Sequence, residues 1–136
     1  MTTRARFILA VLASGVVTSF TDWLFMGLLF HRKYLKTPEI WRHPPGQSDT
    51  RGIIASSLAG TLSCAAFIFL CMWTGALTER SELHLAQLVW IAGALPIIFS
   101  NIVWIKMHPL LGLSHSLGWL ARFVASGLIA GWLLGK

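Results

Sequence analysis

The chain has 136 residues, of which 55% are hydrophobic and only 12% charged, about half the charged fraction of a soluble globular domain. That balance excludes an ordinary soluble domain. The net charge of +6 does not describe a nucleic-acid surface either, because Arg32, Lys33, Lys36, Arg42 and Arg51 fall in one loop between apolar runs.

The first run predicts a helix over about 7–30, with Asp22 as its sole charge. Arg4 and Arg6 ahead of it resemble the start of a signal peptide, but the run is long enough to span, so an uncleaved first helix is expected. Gly15, Thr18, Ser19 and Asp22 share one face by three- and four-residue spacing. The long loop that follows contains Thr37-Pro38-Glu39, which reads as a helix start: hydroxyl cap, proline at the first position, acid in the first turn. Ile40 and Trp41 then suit a short surface segment, ended by Pro44-Pro45-Gly46.

The second run, about 53–77, carries no charge. Ser57, Gly60, Thr61 and Cys64 form its small and polar face. Cys64 and Cys71 lie about 10 Å apart along such a helix, too far for a mutual disulfide, and read as buried thiols. The third helix is expected over about 85–107, kinked by Pro96 and carrying Asn101. The fourth, about 115–134, holds Arg122 as its only charge, with His115, Gly118 and Ser126 on the same face. Gly127, Gly131 and Gly135 repeat every fourth residue, a spacing that lets helix backbones approach within one bundle or across a homodimer.

Each run reaches the roughly 20 residues that a 30 Å hydrocarbon core requires. The fold expected is therefore all-α: a single four-helix transmembrane domain, up and down. Short connections near Thr78–Glu82 and His108–Gly112 make the second and third, and the third and fourth, helices antiparallel neighbours. Lys and Arg near the helix ends number six on the side of the long loop and four on the other, which places the Arg32–Arg51 loop in the cytoplasm and both termini outside. Tyr34, Trp41, Trp73, Trp104 and Trp132 fall near span ends, as an interfacial aromatic belt requires.

Apart from Lys106 at the very end of the third helix, Asp22 and Arg122 are the only charges inside the predicted runs, and both lie about eight residues from the same membrane face. An intramembrane ionisable group marks a functional site by default, and here each names the other as partner. At the same depth fall Thr61 and Asn101, so one polar layer of Asp22, Arg122, Asn101, Thr61 and His115 is expected. The alternative is that this layer only locks the helices together. His31, His43, His108 and His115 project from one side, but no two stand at close metal-binding spacing on one helix, so no metal and no other cofactor is expected. No nucleophile motif, phosphate-binding glycine loop or paired catalytic acids appear, which sets an enzyme behind other readings.

Residues 15–34 contain Asp22-Trp23-Leu24-Phe25-Met26-Gly27-Leu28-Leu29-Phe30 and then Tyr34; Gly118 to Trp132 contains Gly127-Leu128-Ile129-Ala130-Gly131-Trp132. With these the chain resembles a bacterial family of small four-helix membrane proteins, domain of unknown function 1761. That family's first helix carries a glycine, a tryptophan-tyrosine pair, then Leu-Phe-Gly and an aromatic. Trp23 and Leu29-Phe30 match, His31 replaces the glycine, and Phe25 or Leu24 stands at the tyrosine. The resemblance implies the four-span architecture and an inner-membrane location, and no activity.

The function expected is a small transporter or binding protein for an amphiphilic or charged molecule, built around Asp22 and Arg122. Its chief rival is an accessory subunit that docks anionic lipid or a protein through Arg32, Lys33, Lys36 and Arg42. A membrane enzyme with a metal at the interfacial histidines comes third.

Overall fold

The computed structural model describes residues 1–40 and 49–135. Among them there is no strand, and four helices are long and apolar enough to cross a membrane: Thr3–Leu29, Thr50–Thr74, Glu79–Trp104 and Pro109–Leu134. The first consists of α1 (Thr3–Asp22) and a π-helical segment, Trp23–Leu29; the short α2 (His31–Leu35) and a 3₁₀ turn (Pro38–Ile40) follow. The second is α3 (Thr50–Thr74). The third consists of α4 (Glu79–Val89), a π-helical segment (Trp90–Ala94) and α5 (Leu95–Trp104), and the fourth is α6 (Pro109–Leu134).

All four spans begin earlier than the expected runs do, the third and fourth by the most and for reasons of capping. Thr78 and Ser81 close a reciprocal capping box in which Ser81 N donates to Thr78 Oγ1 (3.4 Å) and Thr78 N to Ser81 Oγ (3.1 Å). This starts the third span at Glu79 and draws Glu82 into the helix. Likewise, His108 Nδ1 accepts from Leu110 N (3.1 Å) and Pro109 takes the first helical position, where a missing N–H costs nothing. The stretch expected as the third loop, 108–112, is thus mostly helix, and His115 lies inside α6 rather than at its end. Gly75 ends α3 with φ +71°, the left-handed geometry that glycine adopts without a Cβ penalty, and its N–H bonds Met72 O.

Pro96 sits just past the second π-helical segment, in which Leu95 N bonds Trp90 O. The wider turn absorbs the hydrogen bond that proline cannot make and the crowding of its ring on the preceding turn. Thr37, expected to cap a following helix, instead closes the preceding one: its hydroxyl donates to Lys33 O at 3.0 Å. Trp41 and Pro44-Pro45-Gly46 lie outside the described residues.

α6 is the centre of the packing, in contact with the first, second and third spans alike. The second and third spans, expected as close neighbours, meet mainly beside their connection, where Phe67 and Cys71 of α3 share a cluster with Ala86 of α4 and Phe123 of α6. Ala10, Ile68 and Ala130 form a second cluster between α1, α3 and α6. The outward faces, by contrast, leave Ile8, Leu12, Val16, Leu58, Leu62, Ile97 and Phe99 exposed. Trp73, Trp104 and Trp132 are exposed at the helix ends, but Tyr34 is a correction to the aromatic belt: it is 4% exposed and turned inward against α6.

Candidate functional site

Asp22 closes α1 and Arg122 stands midway along α6; Arg122 Nη2 donates to Asp22 Oδ2 in an ion pair. The two partners differ in environment, the Arg122 side chain being 10% exposed and that of Asp22 37%. Arg122 is held on three sides. Its guanidinium carbon lies 4.6 Å from the centre of the Trp119 ring, a cation–π contact, and Gly60 of α3 leaves it room, since a Cβ there would come within 3.1 Å of Nη2. Gly118 also faces the pair, but a Cβ there would stand 3.6 Å from Asp22 Oδ1, an ordinary contact. Of the small residues on these faces, Gly60 is the one whose missing Cβ makes room for a charge.

Asp22 also marks the junction between α1 and the π-helical turns of Trp23–Leu29, in which the N–H of Phe30 bonds Phe25 O. Such turns are rare and recur at functional sites, because the added residue re-aims every side chain after it. Here they turn Trp23, Phe25 and Met26 onto a cavity of about 770 Å³. Asp22, Arg122, His115, Thr18, Ser19, Ser56, Ser57 and Ser114 supply its polar side chains, and Ile53 and Trp119 add to the apolar wall. A second cavity, of about 600 Å³, is lined by Tyr34, Glu39, Lys106 and Met107 and shares Met26 and His115 with the first. At this boundary the Tyr34 hydroxyl donates to Ser114 Oγ (3.4 Å) and stands 3.2 Å from His115 Nε2. Burial pushes the Tyr34 phenol above its ordinary pKa, against the opposing hydrogen bond to Ser114, so the hydroxyl keeps its proton at neutral pH.

Of the five residues expected in one layer, the structure brings together three: Asp22, Arg122 and His115. Thr61 Oγ1 donates to Ser57 O of its own helix (2.9 Å) and packs against Gly15 instead of lining the cavity. Asn101 and the rest of the third span take no part in the wall. The third span sits on the far side of α6 from the pair, and Asn101 stands beside Ile102, which abuts Gly112, ten residues before Arg122. Thr18, on the inward face of α1, contacts Cys64 Sγ at 3.6 Å. Sequence reasoning passed over Tyr34, Trp119 and Met26; Trp119, three residues before Arg122, had the one legible signal.

Among the other histidines, His31 is exposed, His108 caps α6 and His43 lies outside the described residues. Among the described residues no group of three His, Cys, Asp or Glu side chains is placed to hold a metal. The glycines of α6 face inward: Gly127 packs on Phe67 and Glu82, Gly131 on the Glu82 carboxyl, and Gly135 on the backbone of Leu77. No family model matches the chain, and no curated protein and no solved structure is significantly similar to it.

Proposed function

We propose that this protein is an up-and-down membrane bundle that binds, and carries across the bilayer, a small amphiphilic molecule whose charged head exchanges with the Asp22–Arg122 pair. The observation that carries the reading is the cavity beside the pair. A purely structural lock would be packed dry on every side, whereas Asp22 keeps an open edge facing a space of about 770 Å³. Two full charges also do little for stability alone, since polar contacts between membrane helices average under about 1 kcal/mol.

The chemistry of the wall sets the class of ligand. A cationic head competes with Arg122 for Asp22, an anionic head competes with Asp22 for Arg122, and a zwitterion satisfies both without leaving either charge unpaired. Trp23, Trp119, Phe25, Met26 and Ile53 suit an apolar tail. His115 and Tyr34 stand where the inner cavity meets the outer one, beside Lys106 and Glu39, and so line a route from the loop side. The two tryptophans give the test: intrinsic fluorescence titrated with an alkylammonium, an alkyl phosphate and an alkyl betaine of equal chain length. Saturable quenching by at least one, abolished by filling the cavity with Ser57→Trp, is expected. Flat titrations with all three defeat the proposal.

Membership of the four-helix family suggested by Trp23, Leu29-Phe30 and the last helix belongs with this reading, as does a bacterial inner-membrane location. The long loop is placed in the cytoplasm, where the exposed Arg32 and Lys36 meet anionic headgroups, each worth about 1 kcal/mol near such a surface. Arg42, the fourth basic residue of that patch, lies outside the described residues. Cys64 and Cys71 are both buried, so an added cysteine reports cleanly on topology. Lys36→Cys is expected to resist a membrane-impermeant thiol reagent in intact cells while Thr78→Cys reacts. The opposite pattern inverts the orientation.

A further inference from the structure

The seam between α4 and the end of α6 holds a carboxyl that the Asp22 cavity does not use. Glu82 lies one turn into α4 and is 2% exposed. Its Oε1 has no hydrogen-bond partner, and no cation pairs with it among the described residues. The surface of α6 against it is glycine: a Cβ on Gly127 would stand 3.2 Å from Glu82 Cβ, and one on Gly131 would fall inside the carboxyl group itself. The titratable groups that face it are the Cys71 thiol from α3 and Glu79 on its own helix, neither of which offers a positive charge. Along α6 the site lies roughly 13 Å beyond Arg122, toward the opposite end of the bundle.

Two glycines that clear space for one unpaired acid are a specific arrangement. A carboxylate enclosed among Phe67, Ala86 and the glycines of α6 without a cation would be severely unfavourable, whereas a neutral carboxylic acid carries no buried charge. The closed seam therefore fits only the protonated form. The ionised form needs water, which is one turn away at the exposed Thr78–Ser81 connection.

We propose that Glu82 is a proton-binding site whose occupancy opens and closes this end of the bundle. A proton from the aqueous phase beside the α3–α4 connection bonds to one carboxylate oxygen and gives the neutral acid that seats on Gly127 and Gly131. Its return to water leaves a carboxylate that parts α4 from α6 to become hydrated. The transport reading is needed only for what the movement serves: with it, the proton is the coupling ion and Asp22, held by Arg122, is not the group that carries it.

The experiment uses the full chain in lipid. Infrared difference spectra are expected to show a protonated-carboxyl band at neutral pH that disappears in Glu82→Gln and persists in Asp22→Asn. If Glu82→Gln is recovered unfolded, a shift of the same band in Glu82→Asp makes the assignment. In a Cys64→Ala background, alkylation of Cys71 by N-ethylmaleimide should accelerate as that band titrates away, beyond the ordinary thiol pH dependence seen with Glu82→Gln. A neutral-pH band that is missing, survives Glu82→Gln or vanishes in Asp22→Asn overturns the site, and equal alkylation in both proteins overturns the opening. A Glu82 band in a protein that binds none of the three amphiphiles sustains the proton site while removing the Asp22 reading.

Discussion

Asp22→Asn is expected to destabilise the folded protein by about 3 kcal/mol, the low end of the range for removing one member of a buried ion pair, because Asp22 retains an edge on the cavity. The loss comes from what remains behind. Arg122 is 10% exposed, its Nε is already without a partner, and the Trp119 face and Gly60 hold the guanidinium too closely for it to swing to water. Replacing both charges, with Asp22→Asn and Arg122→Leu together, removes the stranded cation and should restore most of the stability, since an uncharged isostere of a buried pair is often neutral or better. Denaturant titration in mild detergent reads all four proteins. Additive losses in the double mutant would mean that the groups do not act on one another. Ligand binding separates the roles further: the double mutant should be folded yet fail to quench with any charged amphiphile.

How much of this was legible in the sequence differs between one pair and the other. Asp22 and Arg122 announce each other because they are the sole charges in two apolar runs, and opposite charges at one depth have few other solutions in a low-dielectric bundle. The spans were legible for the same reason. Glu82 was not, because spans read as uncharged runs stop at the first charge, which assigned it to the loop before residue 85. The countersignal was local, a Thr-x-x-Ser capping pattern that starts the helix at Glu79, and distant, since Gly127 and Gly131 are the other half of the site. Asn101 and Thr61 failed differently: the level of Asn101 was missed, since its neighbour Ile102 abuts Gly112, ten residues before Arg122, and the azimuth of both depends on which helix occupies the centre. That position belongs to α6, whose glycine and serine stripes let three neighbours approach. The π-helical turn after Asp22 has no sequence signature that an apolar run would betray, and it decides which aromatic residues face the cavity.

Gly131→Ala is the sharpest test of the α4–α6 seam, because the added methyl would occupy the volume of the Glu82 carboxyl. The carboxyl end of Glu82 must leave the glycine surface to make room, while a Cβ on Gly127 would stand 3.2 Å from Glu82 Cβ and so limits movement at the root of the side chain. Forcing one carbon into a packed interface costs about 1–3 kcal/mol, and displacing an acid from its enclosure places this substitution at the upper end. Shortening the opposing side chain should undo it. Glu82→Ala on its own leaves a cavity, and the Gly131→Ala, Glu82→Ala double mutant exchanges bulk across the same contact, so its stability is expected to exceed that of Gly131→Ala alone. This compensation distinguishes the two uses open to a glycine at every fourth position. If Gly127, Gly131 and Gly135 instead formed the face of a homodimer, Gly131→Ala would weaken self-association, measured by cross-linking or sedimentation in detergent, and Glu82→Ala would not repair it. Rescue by the second substitution, with association unchanged throughout, assigns the glycines to the interior of a single chain and to the acid they enclose.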